Sequence, residues 1–261
     1  MNLSLNGKNA IICGSSQGIG SAIANELALL GANCILLARN EGNLRTVFSS
    51  LDTSLKQTHS FHSIDFTDHV ATKNLLGNIT SQHPIHILIN NSGGPPSGPI
   101  ADAVEDQFIA AFNQHLIINH MLTKAVIEGM KSEQYGRIIN IISTSVKVPL
   151  KNLGVSNTIR GAVASWAKTM SNELGEFGIT VNNILPGFTR TDRLYSLIKT
   201  TAASTNRSEA EVERQMVSEV PAKRFGEASE VAAVAAFLAT PAAAYVNGTS
   251  IRVDGGRTGS I

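Results

Sequence analysis

Gly14, Gly18 and Gly20 stand between an apolar run, Ala10–Cys13, and the segment SAIANELALL, in which Ile23, Leu27 and Leu30 recur at helical spacing. A glycine-rich turn joining a buried strand to a helix start brings bare backbone N–H groups against an anion. The helix N-terminus adds roughly half a positive charge at the same place. That chemistry holds the pyrophosphate of a dinucleotide. The spacing is G-x-x-x-G-x-G, not the commoner G-x-G-x-x-G, and the cradle it predicts comprises Gly14, Ser15, Ser16, Gln17, Gly18, Ile19 and Gly20. Taken alone, such a turn also fits a purely structural role. The next apolar run, NCILLA, ends at Arg39. This neighbourhood carries an acid where the ribose 2′-hydroxyl is free and a base where it is phosphorylated. Arg39 can give a phosphate charge-assisted bonds of about 1.5–3 kcal/mol each, so NADP(H) is expected over NAD, with a solvated arginine as the competing reading. Asp65, closing SIDF, is placed to accept from an adenine amino group. Its competing role is a helix cap, for which Asp68 is a rival.

Those residues need elements to position them. Strands are expected at Asn9–Cys13, Asn33–Ala38, His59–Ile64, His86–Asn90, Arg137–Ile142, Thr180–Leu185 and Ser250–Val253. Helical patterning falls near 19–30, 41–53, 68–81, 102–131, 154–176 and 227–239. Parallel strands need crossover connections, so this alternation predicts an α/β fold, a Rossmann-like, doubly wound, seven-stranded parallel sheet with helices on both faces. Right-handed crossovers put the ligand crevice at the carboxyl ends of the strands. No repeat, low-complexity tract or linker divides residues 1–261, which read as a single dinucleotide-binding domain. The long departure is 188–221, helical in composition but inserted between the last two strands, and expected as a lid or substrate loop.

Composition excludes several classes. With 43% hydrophobic residues in 261, the chain can bury a large core. A net charge of +1 gives no electrostatic case for nucleic acid or a membrane surface. The apolar runs are too short to span a bilayer, and MNLSLNGK lacks the apolar centre of a signal peptide, so a cytoplasmic setting is expected. Cys13 and Cys34 lie in predicted strands without a C-x-x-C partner, which favours packing; no metal site is expected.

From Asn90–Gly94, NNSGG, onward the chain resembles the short-chain dehydrogenase/reductase family, nearest to the 3-oxoacyl-[acyl-carrier-protein] reductases. The likeness runs almost end to end. GSSQGIG is similar to the family's glycine turn, with Cys13 where a threonine is usual. NNSGG resembles its NNAGG, which implies adenosine contacts at Asn91, Ser92 and Gly93. GRIINIIS matches the fifth strand and its terminal serine. GITVNNILPGFTRT resembles the sixth strand and its PG turn, and VPAKRFGEASEVAAVAAFLAT followed by YVNGTSIRVDGG resembles the C-terminal third. The resemblance implies nicotinamide contacts at Pro186, Gly187 and Thr191, with Thr189 competing, and a homo-oligomer, tetramer or dimer.

In that family a tyrosine gives the proton. A lysine four residues on lowers its pKa and binds the nicotinamide ribose, a serine orients the carbonyl, and an asparagine holds a water relay. One helical turn sets tyrosine and lysine on a shared face. Here Ser143 matches the serine and Asn113, in AAFNQHL, the asparagine. The tyrosine position, thirteen after Ser143, holds Ser156, and the lysine position holds Arg160. GVSNTIRGAVASWAKTM aligns without a gap on both sides, so no register slip restores the motif. An alkyl hydroxyl is a far weaker acid than a tyrosine with its pKa near 10, and Arg160 keeps its charge and can still bind the ribose hydroxyls of the cofactor but cannot give up a proton. Loss of a positioned acid costs on the order of 10²–10⁴ in rate.

Substitutes are few. Lys147 and Lys151, in VKVPLKN, read as solvated loop lysines, and His115 and His120 as core or interface residues. Of three tyrosines, Tyr135 falls at the far end, Tyr245 is expected in packing, and Tyr195 is the one placed to fold over the site. Two functions follow. One is an oxidoreductase moving hydride between NADP(H) and a small carbonyl or alcohol, 3-oxoacyl-thioester-reductase-like, with an atypical proton donor. The other is a catalytically silent NADP-binding sensor or scaffold.

Overall fold

The computed structural model describes residues 1–260. Among them the elements run β1 (Asn9–Cys13), α1 (Gly18–Leu29), β2 (Asn33–Ala38), α2 (Glu41–Ser50), β3 (Ser60–Ser63), α3 (His69–Gln82), β4 (Ile87–Asn90), α4 (Glu105–Phe112), α5 (Ile118–Ser132), β5 (Gly136–Ile141), α6 (Gly154–Leu174), β6 (Ile179–Pro186), α7 (Asp192–Thr205), α8 (Glu209–Ser218), α9 (Ala228–Ala239) and β7 (Ser250–Val253). The strands make one parallel sheet in the order 3-2-1-4-5-6-7, the α/β architecture expected.

Successive side chains on a strand go to opposite faces. Ile12, Leu36, Ile89 and Ile139 enter one core, with Ile23 and Leu27 of α1 and Val231 and Ala235 of α9. Ile11, Leu37, Leu88 and Ile138 enter the other, with Leu76 of α3, Leu122 and Val126 of α5 and Ala167 of α6. Both faces being covered, the central strands have no solvent side, and β1 and β4 read as apolar runs between polar ends. Each fully buried Ile or Leu contributes about 1.5–3 kcal/mol of transfer free energy. Cys13 and Cys34 are free and buried, and burial pushes both thiols up.

β1 lies between β2 and β4, so the order reverses there and a crevice opens at the carboxyl ends. A polar rung crosses the sheet near this edge. Asn90 donates to Asn140 at 2.9 Å, Asn140 to Asn183 at 3.0 Å and Asn183 to Ser250 at 3.1 Å. These residues are direct register partners on β4, β5, β6 and β7.

The 188–221 segment is helical, as its composition implies: α7 and α8 pack Leu194, Ile198, Ala202 and Val212 on Phe225. Two expectations change. The helix expected over 102–131 widens at its middle, with α4 and α5 separated by a π-turn at Asn113–Ile117. Tyr245, expected in packing, is fully exposed after a short 3-10 turn, Pro241–Ala243. Asp68 takes the helix cap, accepting from the Ala71 N–H, which leaves Asp65 to accept from Thr67. No helix among the described residues is long and apolar enough to cross a membrane.

Candidate active site

A cleft of about 560 Å³ runs along the carboxyl ends of the strands, within the size range of cofactor sites. At one end the chain leaves β1 through Gly14 at φ +60° and enters α1 through Gly18 at φ +59°. That left-handed backbone is open to glycine at no steric cost. A Cβ on Gly14 would meet the Asn91 carbonyl oxygen at 2.6 Å, and one on Gly20 would meet the Gly14 oxygen at 2.1 Å. Asn91 braces the turn, donating Nδ2 to the Cys13 and Gly14 carbonyls at 3.3 and 3.2 Å. Gln17, before α1, makes no side-chain cap. The first-turn N–H groups therefore stay available to an anion.

Arg39 leaves the end of β2 exposed and without an ion pair among the described residues. Asp65, at the same end, is held below the usual carboxylate range, chiefly by the Thr67 backbone N–H. Bare N–H groups, a cradle that a Cβ would fill and a free guanidinium fit a dinucleotide with a phosphorylated ribose.

The other end is built from side chains. Ser143 follows β5 in extended backbone, and its Oγ accepts from the Ser145 N–H at 3.1 Å. With a lone pair so engaged, its own O–H is free to donate into the cleft. α6 starts at Gly154, where a Cβ would meet the Cβ of Ile100 at 2.3 Å, and this close approach seats the first turn of the helix. Ser156 and Arg160 follow, one turn apart on the buried face, and both line the cleft. The Ser156 hydroxyl makes no side-chain hydrogen bond among the described residues. Arg160 donates to the Ile141 carbonyl at 3.2 Å. Burial, then the nearby Arg193, pushes its guanidinium down to about 10, so it remains charged at neutral pH.

Of the sequence-predicted residues, Gly14, Ser16, Gln17, Gly18, Ile19, Arg39, Asp65, Asn91, Ser92, Gly93, Ser143, Ser156, Arg160, Pro186, Gly187, Thr189 and Thr191 all line this one cleft. Three do not. Ser15 is wholly buried beneath the turn, its backbone N–H directed at the Leu37 carbonyl. Gly20 is buried in α1 against Gly14. Asn113 is exposed on the π-turn and outside the cleft, a correction to its expected role. The wider turn rotates His115 inward instead, to 1% exposure, with Nδ1 2.7 Å from the Ser92 hydroxyl and Nε2 buried without a partner. Desolvation, then the charges of Arg160 and Arg193, pushes His115 down to about 3. Its ring is neutral at physiological pH.

Tyr195 is a second correction. It sits half exposed on α7 while its neighbours Leu194 and Leu197 face the cleft. Lys147 and Lys151 are exposed and do not line it either. Sequence reasoning missed Arg193 and Gln114, which line the cleft, while His115 is buried as a core histidine would be, against Ser92. The signal for His115 is its spacing three and seven residues before Ile118 and Leu122, on the buried stripe of α5.

The chain matches the family described as enoyl-(acyl carrier protein) reductase over residues 14–258. It is 33% identical to the NADPH-dependent reductase BacG of Bacillus subtilis (strain 168), covering 97% of this chain and 99% of that protein. It is 33% identical to the 3-oxoacyl-[acyl-carrier-protein] reductase FabG of Vibrio harveyi, covering 97% and 98%. Among solved structures, the L-sorbose reductase of Gluconobacter frateurii complexed with NADPH and L-sorbose superposes with a TM-score of 0.93, at 27% identity and full coverage of both chains.

Proposed function

This chain belongs to the short-chain dehydrogenase/reductase family, and from that premise we propose an NADP(H)-dependent oxidoreductase acting on a small carbonyl or alcohol. One observation carries the reading. The glycine turn, Arg39, Ser143, Ser156 and Arg160 all open onto a single continuous cleft. The relatives' printed activities, an NADPH-dependent reductase and a 3-oxoacyl-[acyl-carrier-protein] reductase, agree with the cofactor and the reaction class.

When bound, the cofactor supplies or accepts hydride at the substrate carbon. The N–H groups of the turn from Gly14 to Ile19 hold its diphosphate, and Arg39 the 2′-phosphate. Asn91, Ser92 and Gly93 wall the adenosine side, and Pro186, Gly187, Thr189 and Thr191 wall the nicotinamide side. Ser143 donates its free O–H to the carbonyl oxygen, and Ser156 offers a second hydroxyl. Arg160 stays charged below them and favours negative charge on that oxygen. Ser156 is too weak an acid to act as a tyrosine would, so the proton passes through its hydroxyl in concert with water at the cleft mouth. The residues 188–221, carrying α7 and α8, form the substrate wall.

The setting in this reading is cytoplasmic, and the assembly a homo-oligomer. Ile109 and Phe112, apolar and exposed on α4, suit a second copy. A second function, the silent NADP-binding protein, is favoured by the replaced Ser156 and Arg160. Titration with NADPH and NADH by nicotinamide fluorescence, followed by NADPH consumption with a panel of carbonyls including 3-oxoacyl thioesters, separates the two. Turnover by the unaltered protein removes the silent reading. An inert protein that gains turnover only as Ser156→Tyr/Arg160→Lys establishes it. A folded protein that binds neither cofactor at millimolar concentration overturns both.

A further inference from the structure

The reaction end of the cleft carries positive charge without a matching acid. Arg160 is 7% exposed, and its guanidinium makes one protein hydrogen bond, to a neutral backbone carbonyl. No carboxylate lies within ion-pair distance of it among the described residues. Burial of a charge in this state is costly unless something else pairs with it. Arg193, in the first turn of α7, reaches across to the loop after β4 and donates to the Gly94 and Pro95 carbonyls at 3.3 and 2.9 Å. Its partners too are neutral. The other charges on the cleft do not balance this pair. Asp65 lies at the opposite end with Arg39, and Arg257 is taken by Glu219 at 2.9 Å. Asp192 lies at the exposed mouth and forms no ion pair among the described residues. His115, the remaining titratable group here, is neutral.

We propose that Arg160 and Arg193 form an anion subsite for the substrate, so that the carbonyl or alcohol handled by this cleft carries a carboxylate. This rests on the oxidoreductase reading and names its substrate class. The cofactor's phosphates already have the glycine turn and Arg39, while ribose hydroxyls accept hydrogen bonds without neutralising a charge. A carboxylate does both, and matches the planar fork of a guanidinium bidentately. Arg193 can exchange two backbone carbonyls for it and gain charge assistance. Leu150, Leu153 and Leu197 line the same cleft and suit an apolar body attached to that carboxylate.

The test is calorimetric titration of the NADP⁺-saturated protein with hexanoate and with hexanamide, which share an apolar tail and differ in charge. Hexanoate is expected to bind about tenfold more tightly or better, and less tightly as salt rises. In Arg193→Gln the preference should fall to about twofold or less while NADPH affinity stays unchanged. Equal binding of the two probes by the unaltered protein overturns the inference, as does a preference that survives Arg193→Gln. An Arg193→Gln variant that loses NADPH but keeps the hexanoate preference also overturns it, since Arg193 would then serve the cofactor's phosphates. The two failures are distinguishable. A protein that binds NADPH without preferring hexanoate sinks only the subsite, whereas one that does not bind NADPH sinks the oxidoreductase reading and the subsite with it.

Discussion

At the glycine-turn end of the cleft the contact surface is peptide backbone, shaped by positions where a Cβ has no room. At the reaction end it is side chain, offered by Ser143 after β5 and by Ser156 and Arg160 on α6, with His115 buried behind them against Ser92. The first end cannot change without deforming the chain. The second can exchange groups on a fixed frame: Ser156 and Arg160 sit one turn apart on the buried face of α6, and the helix is regular around them. A fold can therefore keep a cofactor site rigid and still alter its chemistry one side chain at a time.

Three changes would break or sharpen that contrast. Gly20→Val has the largest expected effect. Its Cβ would lie 2.1 Å from the Gly14 oxygen, so the turn must open, with overpacking of about 1–3 kcal/mol and roughly a hundredfold loss of NADPH affinity. Nicotinamide fluorescence and urea unfolding measure the two effects, and normal binding would contradict a backbone cradle. Arg39→Gln comes next. Loss of about 1.5–3 kcal/mol of charge-assisted bonding corresponds to roughly ten- to hundredfold weaker NADPH binding, with NADH binding unmoved. Equal effects on the two cofactors would take the 2′-phosphate away from Arg39.

The smallest effect belongs to His115 at the reaction end. Its folded pKa of about 3 lies below that of the unfolded chain, so the unfolded state binds more protons between about pH 3 and 6.5. Its contribution to stability is complete above about pH 6.5 and declines as pH falls toward 3, by up to about 1.4 kcal/mol per pH unit. His62 and His86 are lowered too and add slopes of the same sign. His115→Asn should remove its share and leave theirs, which urea midpoints between pH 5 and 7 would read. That window lies above the range where the lowered carboxylates Asp52, Asp65, Glu211, Glu230 and Asp254 add slopes of the same sign. An acid limb identical to that of the unaltered protein would show that His115 is not its source.

Legibility in the sequence follows the same division. β1 and β2 fall at their expected ends because a strand buried between two helix layers must be apolar throughout or closed by a turn, and Asn9, Cys13, Asn33 and Ala38 mark those limits. The glycine turn is legible for a similar reason, since backbone conformation restricts residue type. The helix near Asn113 is not, because a π-turn leaves no compositional mark and alters which residues face inward. Periodicity carried back from Ile118 and Leu122 finds His115, whereas likeness of residue type pointed to Asn113. Arg193 was illegible for another reason. A polar α7 does not reveal which of its charges spans the cleft, and only the hydrogen bonds to Gly94 and Pro95 do so. Tyr195 shows the converse, a chemically suitable residue that the turn of α7 directs to solvent.

The asparagine rung under the cleft bears on how the sheet assembles. The side-chain amides of Asn90, Asn140 and Asn183 reach their acceptors on Asn140, Asn183 and Ser250 only when four strands stand in their native stagger. Displacing one strand by a single residue would turn its amide into the opposite apolar layer, stranding buried polar groups at about 1–3 kcal/mol each. The hydrophobic residues around them, Ile and Leu in long runs, would tolerate such slippage far better. The rung thus acts as a register lock, setting the stagger of the strands whose ends carry the cleft.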